Sequence, residues 1–385
     1  MKILHTADWQ IGKPFAGVED PHKRALLRQE RINAIGRLGE TARKSGAELV
    51  VVAGDLFDSP TPDKATVSAA CAAIGRIGLP VYAIPGNHDH GGPGSIWEQE
   101  FFLREGMELA GNFHILTSPE PVELDGTVLL PCPLVRRQDA ADPTAWLRSA
   151  GFSAFGDKPR IVIAHGSTQD FTTQDPGDED AAERGSNRID LDRLPLGEID
   201  YIALGDWHGM KQAGSKAWYP GTPELDRFPR GGDHAPGNVL VVSVGRGAVP
   251  VVDPVATARF GWHWVDHNFT DDAALDQLVE KMGALLANRA GEDLVCMALE
   301  GSLSIAHFTR LESLLETWRS RLLRLKLENR VRVAPSPEEI NALTLRTSDP
   351  LISRVAARLI EQMSKGGPEG ETARVALREL HARMS

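Results

Sequence analysis

Five short segments of this 385-residue chain carry side chains suited to holding metal ions and moving protons. They are Asp8-Trp9-Gln10, Gly54-Asp55-Leu56-Phe57-Asp58, Gly86-Asn87-His88-Asp89, His165-Gly166 and Gly205-Asp206-Trp207-His208. Together they offer carboxylate oxygen, amide oxygen and imidazole nitrogen, the donor set of a two-metal site that hydrolyses phosphate esters. Such hydrolysis needs a nucleophile at neutral pH, neutralised phosphoryl charge and help for the leaving oxygen. Two divalent ions about 3.5–4 Å apart meet the first two needs when a carboxylate bridges them. Asp55 is read as the bridging ligand, and Asp8 and His208 as the other ligands of one ion. Asn87, His165 and Asp206 complete the sphere of the second. His88, beside Asn87, is assigned protonation of the leaving oxygen or stabilisation of the transition state. Asp58 is read as orienting the site rather than binding metal.

Each loop follows an apolar, strand-like run: residues 2–5, 49–53, 81–84, 161–164 and 201–204. Strand ends of one sheet lie close together, so loops distant in sequence converge. A helix-period pattern fits residues 21–45 and another fits 63–77, which with the strands argues an α/β sheet flanked by helices. Residues 174–185 are acidic, bear Gly and Pro, lack a hydrophobic period and read as a loop. Near residue 250 the character changes and no further metal-type loop occurs. Strands at 260–269, 294–299 and 325–333 alternate with helices at 271–288 and 308–323, a βαβαβ pattern. Helices follow at 348–363, with Ser348 as N-cap and Pro350 in the first turn, and at 370–385. The expected domains are therefore 1–253, 254–340 and 341–385.

Hydrophobic residues make up 42% and charged residues 25%, an ordinary globular balance. No apolar run approaches the ~20 residues of a membrane helix. The three scattered cysteines, Cys71, Cys132 and Cys296, lack metal-site spacing and suit a reduced, cytoplasmic protein. A net charge of −11 argues against a protein that grips nucleic acid alone, unless a partner supplies positive surface.

Taken together, the five motifs resemble those of the calcineurin-like metallophosphoesterases. The opening Lys2-Ile3-Leu4-His5-Thr6-Ala7-Asp8-Trp9, the loops at 54–58 and 86–89, Asp200-Tyr201-Ile202-Ala203-Leu204-Gly205 and Tyr219-Pro220-Gly221-Thr222-Pro223-Glu224 are most similar to the SbcD-type branch, nucleases of double-strand-break repair. The resemblance covers residues 1 to about 250 and, more loosely, reaches about 335. It implies a layered sheet sandwich, a small α/β capping domain and C-terminal helices that clasp the coiled-coil base of an ABC-type (SbcC-like) ATPase. It further implies a DNA substrate, two divalent ions (Mn²⁺, or Mg²⁺) and a homodimer. The chain departs from that branch at two positions. Gln10 stands where a histidine is usual, and Asp206 where the last loop usually has histidine. An amide oxygen is a weaker donor than imidazole to Mn²⁺, so the Asp8/Gln10/His208 ion is expected to bind more weakly than its neighbour.

Three functions remain open on sequence: a DNA phosphodiesterase acting as exonuclease and/or endonuclease, a phosphoesterase of nucleotides or cyclic nucleotides, and a non-catalytic adaptor with a degenerate site. Trp9 and Trp207 flank ligands and suit either stacking on a base or packing of the loops. His90 is a candidate lining of the cleft. Arg319, Arg321, Arg324, Lys326, Arg330 and Arg332 form a basic cluster that is either a DNA-tracking patch or a solvated face. The apolar stripe Leu351, Val355, Leu359 and Met363 suits either its own domain or a partner coiled coil.

Overall fold

The computed structural model describes residues 1–168, 186–228, 235–287, 289–345 and 349–382. The loop expected at 174–185 and the N-cap expected at Ser348 lie outside these residues. The chain divides into two compact units, Met1–Gly261 and Trp262–Ser385.

The first unit contains β1 (Lys2–Thr6), α1 (Pro21–Ser45), β2 (Leu49–Ala53), α2 (Lys64–Gly75), β3 (Val81–Ile84), α3 (Glu100–Leu109), β4 (Phe113–Ile115), β5 (Val122–Glu123) and β6 (Val128–Cys132). It continues with β7 (Arg160–His165), β8 (Ser167–Thr168), β9 (Arg188–Ile189), β10 (Tyr201–Gly205), β11 (Lys211–Gln212), β12 (Ala217–Tyr219), β13 (Asn238–Ser243) and β14 (Val251–Ala256). Two six-stranded sheets form, ordered β14-β13-β1-β2-β3-β4 and β11-β12-β10-β7-β6-β5. At the middle of each, three strands run parallel: β1-β2-β3 and β10-β7-β6.

Period-2 alternation builds the layers. Ile3, Leu49, Val51, Ile161, Ile163, Tyr201 and Ala203 share the core that joins the sheets. Their neighbours Leu4, Val50 and Val52 pack with Ile35, Leu38 and Ile74 of α1 and α2. Val162, Ala164, Ile202 and Leu204 pack on the far face of the second sheet. Both faces are buried, which is why these strands read as continuous apolar runs. Helix α1 starts where Asp20 accepts the amides of His22 and Lys23, and stops at Gly46 with φ 72°. The layered α/β sandwich is the architecture expected from the sequence.

His5 fastens β1 to β10. Its Nδ1 lies 2.8 Å from the Tyr201 hydroxyl and its Nε2 3.2 Å from the Leu204 carbonyl. Burial pushes this ring down from 6.5 to about 3, against the carbonyl bond that favours its charged form. The unfolded chain therefore takes up a proton below pH 6.5 that the native chain refuses, and stability falls as pH falls towards 3. Between pH 7 and 5 this group alone is expected to cost about 2 kcal/mol. Urea unfolding at both pH values should show that difference in the wild type. A His5→Gln variant should lose it, and an equal acid slope in the two would contradict the assignment.

The first unit ends later than the expected boundary at 253. Residues 251–256 are β14, which pairs antiparallel with β13 along its whole length and completes a sheet edge. A Pro at 254 is tolerated there because the strand is an edge.

The second unit comprises β15 (Gly261–Phe269), α4 (Ala274–Leu286), β16 (Asp293–Leu303), α5 (Ile305–Arg321), β17 (Arg324–Asn329), β18 (Arg332–Val333), α6 (Pro337–Thr344), α7 (Pro350–Lys365) and α8 (Gly367–Ala382). The strand expected at 325–333 is two strands, both parallel to β16. Asp349 caps α7 by accepting the Ile352 amide. Leu359 and Met363 pack with Ile305, Leu343, Ala356 and Leu377, whereas Leu351 and Val355 are 71% and 43% exposed. Arg324 and Lys326 alternate with core-facing Leu325 and Leu327, and Glu328 shares their outward face. Arg330 pairs with Glu300 at 3.3 Å. None of the described helices is long and apolar enough to cross a membrane. Cys71, Cys132 and Cys296 are buried free thiols.

Candidate metal centre

The loops after β1, β2, β3, β7 and β10 meet at the carboxyl ends of the parallel strands. The first two run side by side. Asp8 and Gln10 amides donate to the Gly54 and Asp55 carbonyls, and Ile11 donates to Leu56. Asp8, Gln10, Asp55 and Asp206 account for four of the seven non-glycine residues with positive φ among the described residues, at 54°, 42°, 53° and 103°. Each such conformation costs about 1–3 kcal/mol and concentrates at functional sites. Gly54, with φ 89°, also lies against the His165 ring, where any Cβ would collide with the imidazole.

Asp8, Asp55 and His165 each bring a donor atom within 4.8 Å of the others, all buried. His165 Nδ1 lies 2.8 Å from the Ala53 carbonyl and so carries the proton. Its Nε2 faces Asn87 Oδ1 at 2.8 Å, Asp55 Oδ2 at 3.6 Å and Asp206 Oδ1 at 3.9 Å. Burial holds the ring below its ordinary pKa despite the Asp206 charge. A lone pair aimed at three oxygens is an arrangement for a cation. Asp8 is pushed well above the ordinary carboxylate range, first by burial and then by Asp55 and Asp206. Excess anionic charge in a dry place is what a divalent ion relieves. The residues fit such an ion, and Asp8, Asp55, Asn87, His165 and Asp206 would hold it; Asp8, grouped with Gln10 and His208 from the sequence, here lies with Asp55 and His165.

His88 is half-buried. Its amide donates to Asp55 Oδ1 at 2.9 Å, and its Nδ1 lies 3.0 Å from the Asp58 carbonyl. Asp58 thus positions His88 through its backbone, while its carboxylate faces Lys13 at 3.6 Å.

Gln10 is buried at the site but its amide oxygen accepts from Lys13 at 2.9 Å. Its amide nitrogen lies 3.2 Å from His208 Nε2. The structure therefore brings Gln10 and His208 together, yet seats the Gln10 oxygen on an ammonium. His208 Nδ1 lies 2.9 Å from Asp226 Oδ2 and 2.8 Å from an Arg227 nitrogen. Burial lowers the His208 pKa to about 4, with Asp226 opposing and Arg227 adding to the fall.

Four supporting residues were given no role from the sequence, although Asp89 stands in the third segment. Asp89 accepts the amides of Gly86, Leu56 and Phe57 at 2.7, 2.8 and 3.0 Å, tying the second loop to the third. Burial and the Asp55 charge push it up to about 7, against those amides. Buried Arg31 donates to the Trp9, Asp8 and Glu224 carbonyls. Its signal was a charge at the i+4 position between Leu27 and Ile35 of an apolar stripe. Lys13 and Asp226 complete the set. Burial alone would raise Asp226, but Arg227, His208 and Lys13 outweigh it and hold the carboxyl well below its ordinary range. Trp9 packs in the core with its Nε1 on Thr6, so stacking on a base is excluded for it. Trp207 is half-buried with the Lys211 ammonium 5.5 Å above its ring.

Asp226→Asn would put an amide where a fixed carboxylate orients His208, and outer partners of this kind are worth about 10–100-fold in metal affinity or activity. That loss should appear in the Mn²⁺ dependence of phosphodiester hydrolysis. An unchanged dependence would show that His208 needs no orienting anion.

The buried donor cluster at these converging strand ends is suited to holding a divalent metal ion. The calcineurin-like phosphoesterase family matches residues 1–210, more than half the chain, and the protein belongs to that family. Two solved structures are similar. A dimetal phosphatase from Danio rerio is 12% identical, covering 66% of this chain and 98% of its own, with a TM-score of 0.35. A second crystal structure is 11% identical, covering 64% of this chain and 99% of its own, with a TM-score of 0.36.

Proposed function

We propose that this chain is a dinuclear metal-dependent phosphodiesterase that hydrolyses DNA, as exonuclease and/or endonuclease, in repair or processing. The observation that carries the chemistry is the His165 lone pair set among Asn87, Asp55 and Asp206 oxygens. Bound divalent ions, Mn²⁺ in first place, supply phosphoryl charge neutralisation and a nucleophile at neutral pH. The chain's own part is to hold the donors rigid through Asp89 and Arg31, and to place His88 beside the Asp55 carboxylate for proton delivery to the leaving oxygen.

The polymer substrate is supported by the second unit and by the SbcD-type motifs. In that reading, exposed Leu351 and Val355 on α7 meet the coiled coil of an ABC-type ATPase, which supplies the positive surface this acidic chain lacks. The homodimer rests on the same resemblance. A specific observation favours the rival small-molecule phosphoesterase: the outward Arg324 and Lys326 share their face with Glu328, and Arg330 is paired. Labelled single- and double-stranded DNA assayed beside p-nitrophenyl phosphate esters in Mn²⁺ decides between them. Cleavage of DNA is expected. Turnover of the small esters alone would favour the rival, and no turnover with metal bound would leave an adaptor.

A further inference from the structure

The two halves of the centre differ in how their charge is balanced. Around His165, the three carboxylates of Asp8, Asp55 and Asp206 converge on neutral donors. Around His208, the chain supplies its own cations. Lys13 Nζ lies 2.9 Å from Gln10 Oε1, 3.4 Å from Asp226 Oδ2 and 3.6 Å from Asp58 Oδ1. Arg227 lies 3.3 Å from the same Asp226 oxygen. This is not a solvated lysine: its side chain is 14% exposed and that of Asp226 is 1% exposed. The loop enforces the contact. Gln10 at φ 42° and Gly12 at φ 95° make a turn in which the Lys13 amide bonds the Gln10 carbonyl at 3.2 Å, returning the lysine over the glutamine.

The Gln10 side chain links Lys13 to His208. With its oxygen on Lys13, the Gln10 amide presents N–H to His208 Nε2, which must then be the acceptor. His208 Nδ1 lies between the Asp226 carboxylate at 2.9 Å and an Arg227 nitrogen at 2.8 Å, and Lys13 and Arg227 balance the Asp226 charge. Both neutral donors of this half, the Gln10 oxygen and the His208 lone pair, are engaged within the protein.

We propose that Lys13 controls metal occupancy: its ammonium occupies the Gln10 oxygen and sets Gln10 against His208, so that a second ion enters only by displacing Lys13. The proposal rests on the reading of the site as a metal centre and deepens it. It gives the unequal loading expected from the weak amide donor a distinct cause, a resident positive charge rather than donor strength alone. Loading is then sequential, with the Asp8/Asp55/His165 half filled first.

Calorimetric Mn²⁺ titration of the full chain, with electron paramagnetic resonance at one and two equivalents, tests this. The wild type should show one tight ion, an isolated-ion spectrum at one equivalent, and a second ion at least tenfold weaker. Lys13→Met should tighten the second ion at least tenfold and leave the first unchanged, whereas Lys13→Arg, which keeps the charge, should leave the second ion weak. Two equally tight ions in the wild type would overturn the proposal even if Lys13→Met did not fold. A folded Lys13→Met with an unchanged second constant would overturn it too, while leaving the phosphodiesterase reading intact. Uptake of no ion would overturn both.

Discussion

Asp55→Asn is expected to abolish phosphodiester hydrolysis while making the metal-free protein more heat-stable. The two effects share one cause. Asp55 faces Asp8 and His165 within a buried cluster, and its charge helps push Asp8 well above the ordinary carboxylate range. That repulsion penalises the metal-free fold at neutral pH. Removing one charge relieves it, but leaves a neutral amide where the proposed dinuclear centre would use a carboxylate. The wild type should gain about 2.7 kcal/mol in Mn²⁺ at a hundred times the dissociation constant. Asp55→Asn should gain much less. The proton held by the raised Asp8 carboxyl must leave when metal binds, so wild-type affinity should rise with pH and binding should release a proton to buffer. Melting curves with and without Mn²⁺ check the first point, and calorimetry in buffers of different ionisation enthalpy checks the second. A metal response equal in variant and wild type would remove Asp55 from the ligand set.

The second large effect is expected at His88. A positioned general acid contributes about 10²–10⁴-fold to turnover. His88→Asn should lose that much on DNA, whose leaving oxygen needs a proton. The loss should be far smaller on an ester with a p-nitrophenolate leaving group, which departs without one. The contact from Nδ1 to the Asp58 carbonyl fixes the ring, and in the proposed mechanism Nε2 delivers the proton. Metal affinity should stay within a few-fold of wild type because the ring is not among the ligands. Equal losses on both substrates, or loss of metal, would make His88 structural.

Much of this centre was legible because its determinants are local. Apolar runs such as Leu49–Ala53, buried on both faces, end in loops whose polar residues have no core role. Five such loops in order define a site before any coordinates. The supporting residues were not legible, because each is a single charge whose partners are distant in sequence. Asp226 reads as one more acidic residue until His208 is found against it, and Arg31 as a break in a helical stripe. Gln10 was assigned as a ligand from its place in the motif. What its oxygen touches depends on a left-handed turn that no periodicity encodes. Helix α6 did carry a readable start, the Ser336–Glu339 capping box, but it is short and lacks a long apolar stripe. The boundary expected near 253 falls inside β14, an edge strand of mixed polarity that its sheet neighbour rather than its sequence makes a strand.

A crystal of the wild-type protein grown in Mn²⁺, with anomalous data collected at the manganese edge, tests the centre most directly. A peak is expected between the carboxylates of residues 8 and 55 and the imidazole of residue 165. Density lacking any such peak, with those side chains drawn apart, would contradict the account.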